Sequence, residues 1–167
     1  TIRGGVSMLV EDVMVNDVVK LKTDDTLRTA AHRFAENGIG GAPVVDDANR
    51  VVGIFTERDF LAALKLQRSK LSMVFPSSHA MGLVFEESII SKEAREAFEE
   101  VGDTPVGKVM RTNVITAAPD DDVSKVASTM IEENINRIPV VDKNGKLVGI
   151  VTRKDIIRGL VKNKKGG

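Results

Sequence analysis

GIFTERD, Gly53 to Asp59, returns ninety-six positions later as GIVTRKD, Gly149 to Asp155. Each copy reads as an apolar strand that runs into Thr, two charged residues and Asp. Thr-x-x-Asp at a strand end is close to a capping box. The Thr hydroxyl would accept from the third N–H of a following helix, and the Asp carboxylate would reach back to the Thr N–H. The same residues also suit a ligand. A helix N-terminus with free N–H groups attracts anions, and a carboxylate beside it can accept from two vicinal ribose hydroxyls. The heptad alone leaves both readings open.

Outward from the heptad, Val10–Leu64 matches Val106–Leu160 without a gap, at a constant offset of 96. The shared runs include Val13-Met14 with Val109-Met110, Asp24-Asp25 with Asp120-Asp121, and Pro43–Asp46 with Pro139–Asp142. Two copies indicate a pseudo-twofold pair, because a solenoid needs about three or more units. Each copy predicts β-α-β-β-α. A short apolar stretch (DVVKLKT or NVITAAP) comes first. A helix follows, with Leu27, Ala30, Ala31 and Phe34, or Val123, Val126, Ala127 and Met130, on one stripe. Asp24 or Thr26, and Asp120 or Asp122, supply N-cap chemistry. Gly38 and Asn134 suit a left-handed residue at the helix end. Two strands joined by a turn come next, and Asn144-Gly145 is a strong hairpin signal. A unit of roughly 55 residues buries little core alone, so the two should pack together.

The expected organisation is an arm over residues 1–9, repeat one over 10–68, an insert over 69–105, repeat two over 106–162 and a basic tail over 163–167. Within the insert, Pro76, Ser77 and Ser78 predict a loop. SKEAREAFEEVG predicts a helix capped by Ser91 and stopped by Gly102. The insert suits a lid, a dimer arm or a plain spacer.

Composition narrows the function classes. The chain has 167 residues, 42% hydrophobic and 29% charged, with 24 basic and 24 acidic side chains. Zero net charge argues against a nucleic-acid binder. No apolar run reaches the ~20 residues that cross a bilayer. With no cysteine there is no disulfide scaffold, thiolate metal site or cysteine nucleophile. A cytoplasmic location is the expectation. His32 and His79 are too far apart in sequence, and too poor in spaced partners, to suggest a metal site. No P-loop, GxGxxG or Ser-His-Asp pattern is present, so no enzyme, catalytic residue or required cofactor is expected.

The β-α-β-β-α order, PVVD, VVGIFTERD, LVGIVTRKD and the tandem arrangement resemble the cystathionine-β-synthase (CBS) domain family. The resemblance covers both repeats, about two thirds of the chain. It implies an α/β (α+β) fold, a Bateman module of two repeats packed about a pseudo-twofold axis. It implies regulatory binding of AMP, ADP, ATP or, less often, S-adenosylmethionine or NADH, in clefts between the repeats. It also implies a homodimer and a regulated partner protein. By position, the ribose aspartate falls on Asp59 and Asp155, and the helping hydroxyl on Thr56 and Thr152. The backbone beside base or phosphate falls on Gly41-Ala42 and Arg137-Ile138. The wall of the base falls on Val18-Val19 and Val114-Ile115. The dimer would use Phe60-Leu61-Leu64 and Ile156-Ile157-Leu160. The alternative is a dimerising interaction module that binds no ligand.

The copies differ where phosphate charge would count. Copy two offers Arg137, Arg153 and Lys154, whereas copy one has Gly40-Gly41 and Glu57-Arg58. A phosphate gains from a guanidinium fork and loses beside a carboxylate. The Asp155 site is therefore expected to be the better phosphate site. Gly40 and Gly41 suit either a tight turn or the close approach of a ligand.

Overall fold

A computed structural model describes residues 7–64 and 92–163. Repeat one begins with strand β1 (Leu21–Lys22) and helix α1 (Leu27–Asn37). Strands β2 (Gly41–Val45) and β3 (Val51–Thr56) follow, then helix α2 (Glu57–Ala63). The insert contributes helix α3 (Lys92–Val101). Repeat two supplies helix α4 (Val123–Glu132), strands β4 (Arg137–Val141) and β5 (Leu147–Thr152), and helix α5 (Arg153–Asn163).

The local signals form the elements expected of them. Thr26 caps α1 by accepting from the Thr29 N–H at 3.1 Å, and Asp122 caps α4 by accepting from the Ser124 N–H at 2.7 Å. Gly38 and Asn134 end these helices with φ of 60° and 51°. Leu27, Ala30, Ala31 and Phe34 are buried, as are Val123, Val126 and Met130. Full burial of each large apolar side chain contributes roughly 1.5–3 kcal/mol, so these stripes fix which face of each helix meets its sheet. At the Asn144-Gly145 turn, Gly145 takes φ of 76°. There the Asp142 carboxylate accepts from the N–H groups of Asn144 and Lys146, at 2.8 and 2.9 Å.

β1 pairs parallel with β2, Leu21 opposite Val44, in the sheet order β1-β2-β3. β4 and β5 form an antiparallel hairpin. The first strand of repeat two shortens to one parallel bridge, Ala117 to Val140. This is the same register as Leu21 to Val44, moved by the repeat offset.

The sequence repeat and the compact unit differ. Among the described residues, 19–48, 52–64 and 92–114 form a first-repeat unit, and 7–18, 49–51 and 115–163 form a second-repeat unit. The segment that leads each repeat packs into the body of the other. Val106 is fully buried among Leu27, Phe34 and Phe60, and its N–H donates to the Asp25 carbonyl at 2.7 Å. Val10 is fully buried among Val126, Ile138 and Val151, and its N–H donates to the Asp121 carbonyl at 2.9 Å. The heptad glycines explain the fit. A Cβ on Gly149 would lie 2.6 Å from Met14 Sδ, and one on Gly53 would overlap Met110 Sδ. Only glycine leaves room there for the methionine of the crossing segment.

Two expectations change. Ser7–Leu9, the described end of the expected arm, are anchored: the Ser7 hydroxyl donates to Asp122, Leu9 bridges to Asp122, and the Met8 carbonyl accepts from the Val123 N–H. The insert is more than a spacer, because α3 enters the first-repeat core through Phe98. Its ring centroid lies 5.8 Å from that of Phe60. Ser91, the Pro76–Ser78 loop, His79 and the tail beyond 163 lie outside the described residues.

Candidate functional site

Each heptad forms its capping box. In the first-repeat unit, Asp59 Oδ2 accepts from the Thr56 N–H at 2.9 Å and from the Thr56 hydroxyl at 2.7 Å. In the second-repeat unit, Asp155 Oδ2 accepts from the Thr152 N–H at 2.9 Å and from its hydroxyl at 2.6 Å. Strand β3 or β5 delivers the Thr, and the first turn of α2 or α5 delivers the Asp. One carboxylate oxygen is therefore committed to structure in both copies.

The other oxygen meets an arginine in both. Asp59 Oδ1 lies 3.3 Å from Arg111 Nε, and Asp155 Oδ1 lies 3.5 Å from Arg158 Nη1. Both carboxylates are shielded, with side chains 11% and 7% exposed, while the arginines are about half exposed. Neither arginine was among the residues expected from sequence. Arg158 is legible, three residues beyond Asp155 on a helix. Arg111 is not, because its contact depends on the crossing of the leading segment. At the equivalent place in the second-repeat unit stands Val15.

The helix N-termini offer fewer free N–H groups than expected. The Glu57 N–H donates to the Gly40 carbonyl and the Arg153 N–H to the Asn136 carbonyl, each at 3.1 Å. The third N–H of each helix turns to the capping Thr hydroxyl. The second Asp oxygen in each copy is an acceptor suited to hydroxyl groups.

The remaining expected residues separate into two groups. Arg137 stands opposite Thr152 in the β4–β5 register, which puts the two side chains on one face. Ala42 and Ile138 are buried in the two cores, so only their backbones can serve a ligand. Gly41 is buried beside Ala42, Val19 lies half-buried just before β1, and Ile115 packs against the second-repeat core. Lys154 is exposed. Arg153, expected to bring charge to a phosphate, holds two backbone carbonyls. Its Nε donates to the Ile135 carbonyl at 3.1 Å and its Nη2 to the Met130 carbonyl at 3.2 Å. These carbonyls lie at and just beyond the end of α4, where the Met130 carbonyl also accepts from the Ile135 N–H at 3.0 Å. The charges are thus distributed differently in space than along the chain, and copy two keeps Arg137, Lys154 and Arg158 near its heptad. Copy two has Arg153 drawn to α4, and copy one gains Arg111.

Three comparisons bear on this arrangement. The family model of the CBS domain matches residues 10–66 and 106–162. Over 158 residues the chain is 34% identical to the uncharacterised protein MJ1426 of Methanocaldococcus jannaschii, covering 94% of each. Among solved structures, it is 27% identical to the CBS domain pair of protein MJ0100 in complex with 5′-methylthioadenosine and S-adenosyl-L-methionine. That match has a TM-score of 0.68 and covers 95% of this chain and 99% of the other. The CBS domain of a membrane protein from Sphaerobacter thermophilus is 35% identical at a TM-score of 0.65, covering 91% of this chain and 87% of the other.

Proposed function

The chain belongs to the CBS domain family as a tandem pair, and from that premise we propose a regulatory module that binds adenine nucleotides of the AMP, ADP or ATP type. Binding is passed to a regulated partner by a change of shape or assembly. The carrying observation is the pair of divided aspartates. Asp59 and Asp155 each hold one oxygen in a cap and present the other beside a guanidinium. Such an oxygen accepts from a ribose diol, and the neighbouring cation favours a phosphate. Thr56 and Thr152 position the two carboxylates, while Gly41-Ala42 and Arg137-Ile138 offer backbone near the heptads. The 5′-methylthioadenosine and S-adenosyl-L-methionine bound to the MJ0100 pair support a ligand with an adenosyl group. Carboxylates so fixed by donors suit binding, and no catalytic role is assigned to them.

Thermal unfolding with AMP, ADP, ATP, S-adenosylmethionine and NADH tests the reading. A ligand at a hundredfold excess over its Kd stabilises the native state by about 2.7 kcal/mol. In a chain of this size that raises Tm by roughly 5–11 °C. No shift with any of the five contradicts the proposal.

One observation favours the second reading, a dimerisation module. Ile131 and Ile157 are 75% and 63% exposed, and Leu160 and Val161 are also open. They extend an apolar groove of about 190 Å³ lined by Ala127, Met130, Ile131, Arg153, Ile156 and Ile157. A homodimer formed on this face is compatible with ligand binding. Sedimentation tests it, and a monomer at micromolar concentration rejects it.

A further inference from the structure

Arg111 precedes the body of repeat two in sequence but sits against Asp59 of repeat one. We propose that Arg111 is a latch that makes the Asp59 site selective for anionic, phosphorylated nucleosides. It pairs with the aspartate oxygen that a ribose needs. When a phosphorylated nucleoside binds, it moves to the phosphate. The proposal rests on the adenine-nucleotide reading, and adds the charge class of the ligand and the residue that reads it.

The argument starts from the oxygens of Asp59. Oδ2 already accepts two hydrogen bonds from Thr56. A ribose diol must therefore use Oδ1, which is the oxygen Arg111 faces. Diol and guanidinium compete for it. A neutral nucleoside displaces the guanidinium and offers no anion in return. A nucleotide displaces it and supplies a phosphate that matches the guanidinium fork. The ion pair thus penalises uncharged ligands and is replaced by an equivalent pair for charged ones.

The backbone makes such a movement feasible. The Ile54 N–H donates to the Arg111 carbonyl at 2.9 Å, and the Arg111 N–H to the Ile54 carbonyl at 3.0 Å. The main chain is pinned to β3 while the side chain, 45% exposed, can change partner. The second-repeat unit repeats this backbone without the charge. Val15 exchanges the same two hydrogen bonds with Ile150, at 2.9 and 3.0 Å. Asp155 takes its arginine from its own helix instead. The two sites therefore differ in the attachment of their cation: among the described residues, Asp59 meets one carried by the leading segment of repeat two, and Asp155 one on its own helix.

The test is calorimetric titration of AMP and of adenosine, in Asp155→Asn so that the Asp59 site is read alone. The expected result is AMP tighter than adenosine by about tenfold or more. Adding Arg111→Val, the residue of the sister position, should erase most of that preference. AMP weakens about tenfold while adenosine binds unchanged or a fewfold tighter. Arg111→Gln, which keeps the length and removes the charge, should behave alike and serves if the valine variant does not fold. Equal weakening of both ligands, or an AMP affinity unchanged by either substitution, overturns the latch alone. If neither ligand binds Asp155→Asn or the parent chain, the nucleotide reading fails and the latch with it.

Discussion

Asp59 and Asp155 divide their oxygens between a cap and a guanidinium, and the two halves differ in how visible they are from sequence. The caps are local, so Thr-x-x-Asp announces them. The ligand reading of the same residues is not excluded by the cap, because the cap engages only Oδ2. Arg153 shows the limit of reading charge along a chain, since the Met130 and Ile135 carbonyls hold its guanidinium. Two predictions belong to this scale. Gly53→Ala forces a Cβ onto Met110, and overpacking of this kind costs about 1–3 kcal/mol. Urea denaturation should show that loss, and an unchanged midpoint contradicts the close approach. Asp122 is the second case. Its carboxyl is held down to about 2, against an ordinary 3.8, first by the Ser124 hydroxyl, then by the Ser7 hydroxyl and the Ser124 N–H. A depressed folded pKa stabilises above the unfolded value and is lost as pH falls through the folded one. The Tm difference between the parent and Asp122→Ala should therefore be full above pH 4 and shrink toward pH 2. A difference that stays constant across that window contradicts the assignment.

Among the elements, the helices with a clean apolar stripe were the most legible, because period and caps agree. α3 was legible as a helix but not in its place, since its partner Phe60 lies in a distant stretch. Its packing breaks the symmetry of the repeats. Phe98 packs against Phe60 with the rings tilted at 41°, and Arg28 lies over the Phe98 ring at 4.9 Å. The face of α2 expected at a dimer contact is therefore covered: Phe60 and Leu64 are buried. On α5, Ile156 is buried while Ile157 and Leu160 remain exposed. Phe98→Ala should cost roughly 3–5 kcal/mol, as for other buried aromatics. A loss below about 1 kcal/mol by urea denaturation would show that α3 is not part of this core.

At the scale of the molecule, the repeat was legible and the exchange of leading segments was not. Residues Val10 and Val106 look alike in either arrangement, and nothing local says which body receives them. The exchange makes each core depend on both repeats, because Val10 and Val106 are fully buried in cores drawn mainly from the opposite repeat. The open α4–α5 face predicts assembly through its exposed isoleucines. Ile157→Glu should convert a dimer into a monomer in sedimentation velocity while leaving the far-ultraviolet circular dichroism unchanged. A parent chain and variant of equal sedimentation coefficient contradict that.

The central claim is that Asp59 and Asp155 are the ribose acceptors of two nucleotide sites. Asparagine keeps one oxygen to accept from the capping Thr but replaces the other acceptor by a donor, so it separates the cap from the ligand role. Titration calorimetry with AMP should give two ligands per chain for the parent. It should give one for Asp59→Asn, one for Asp155→Asn and none for the double variant, all folded. A double variant that binds AMP with the parent's stoichiometry and affinity contradicts the account.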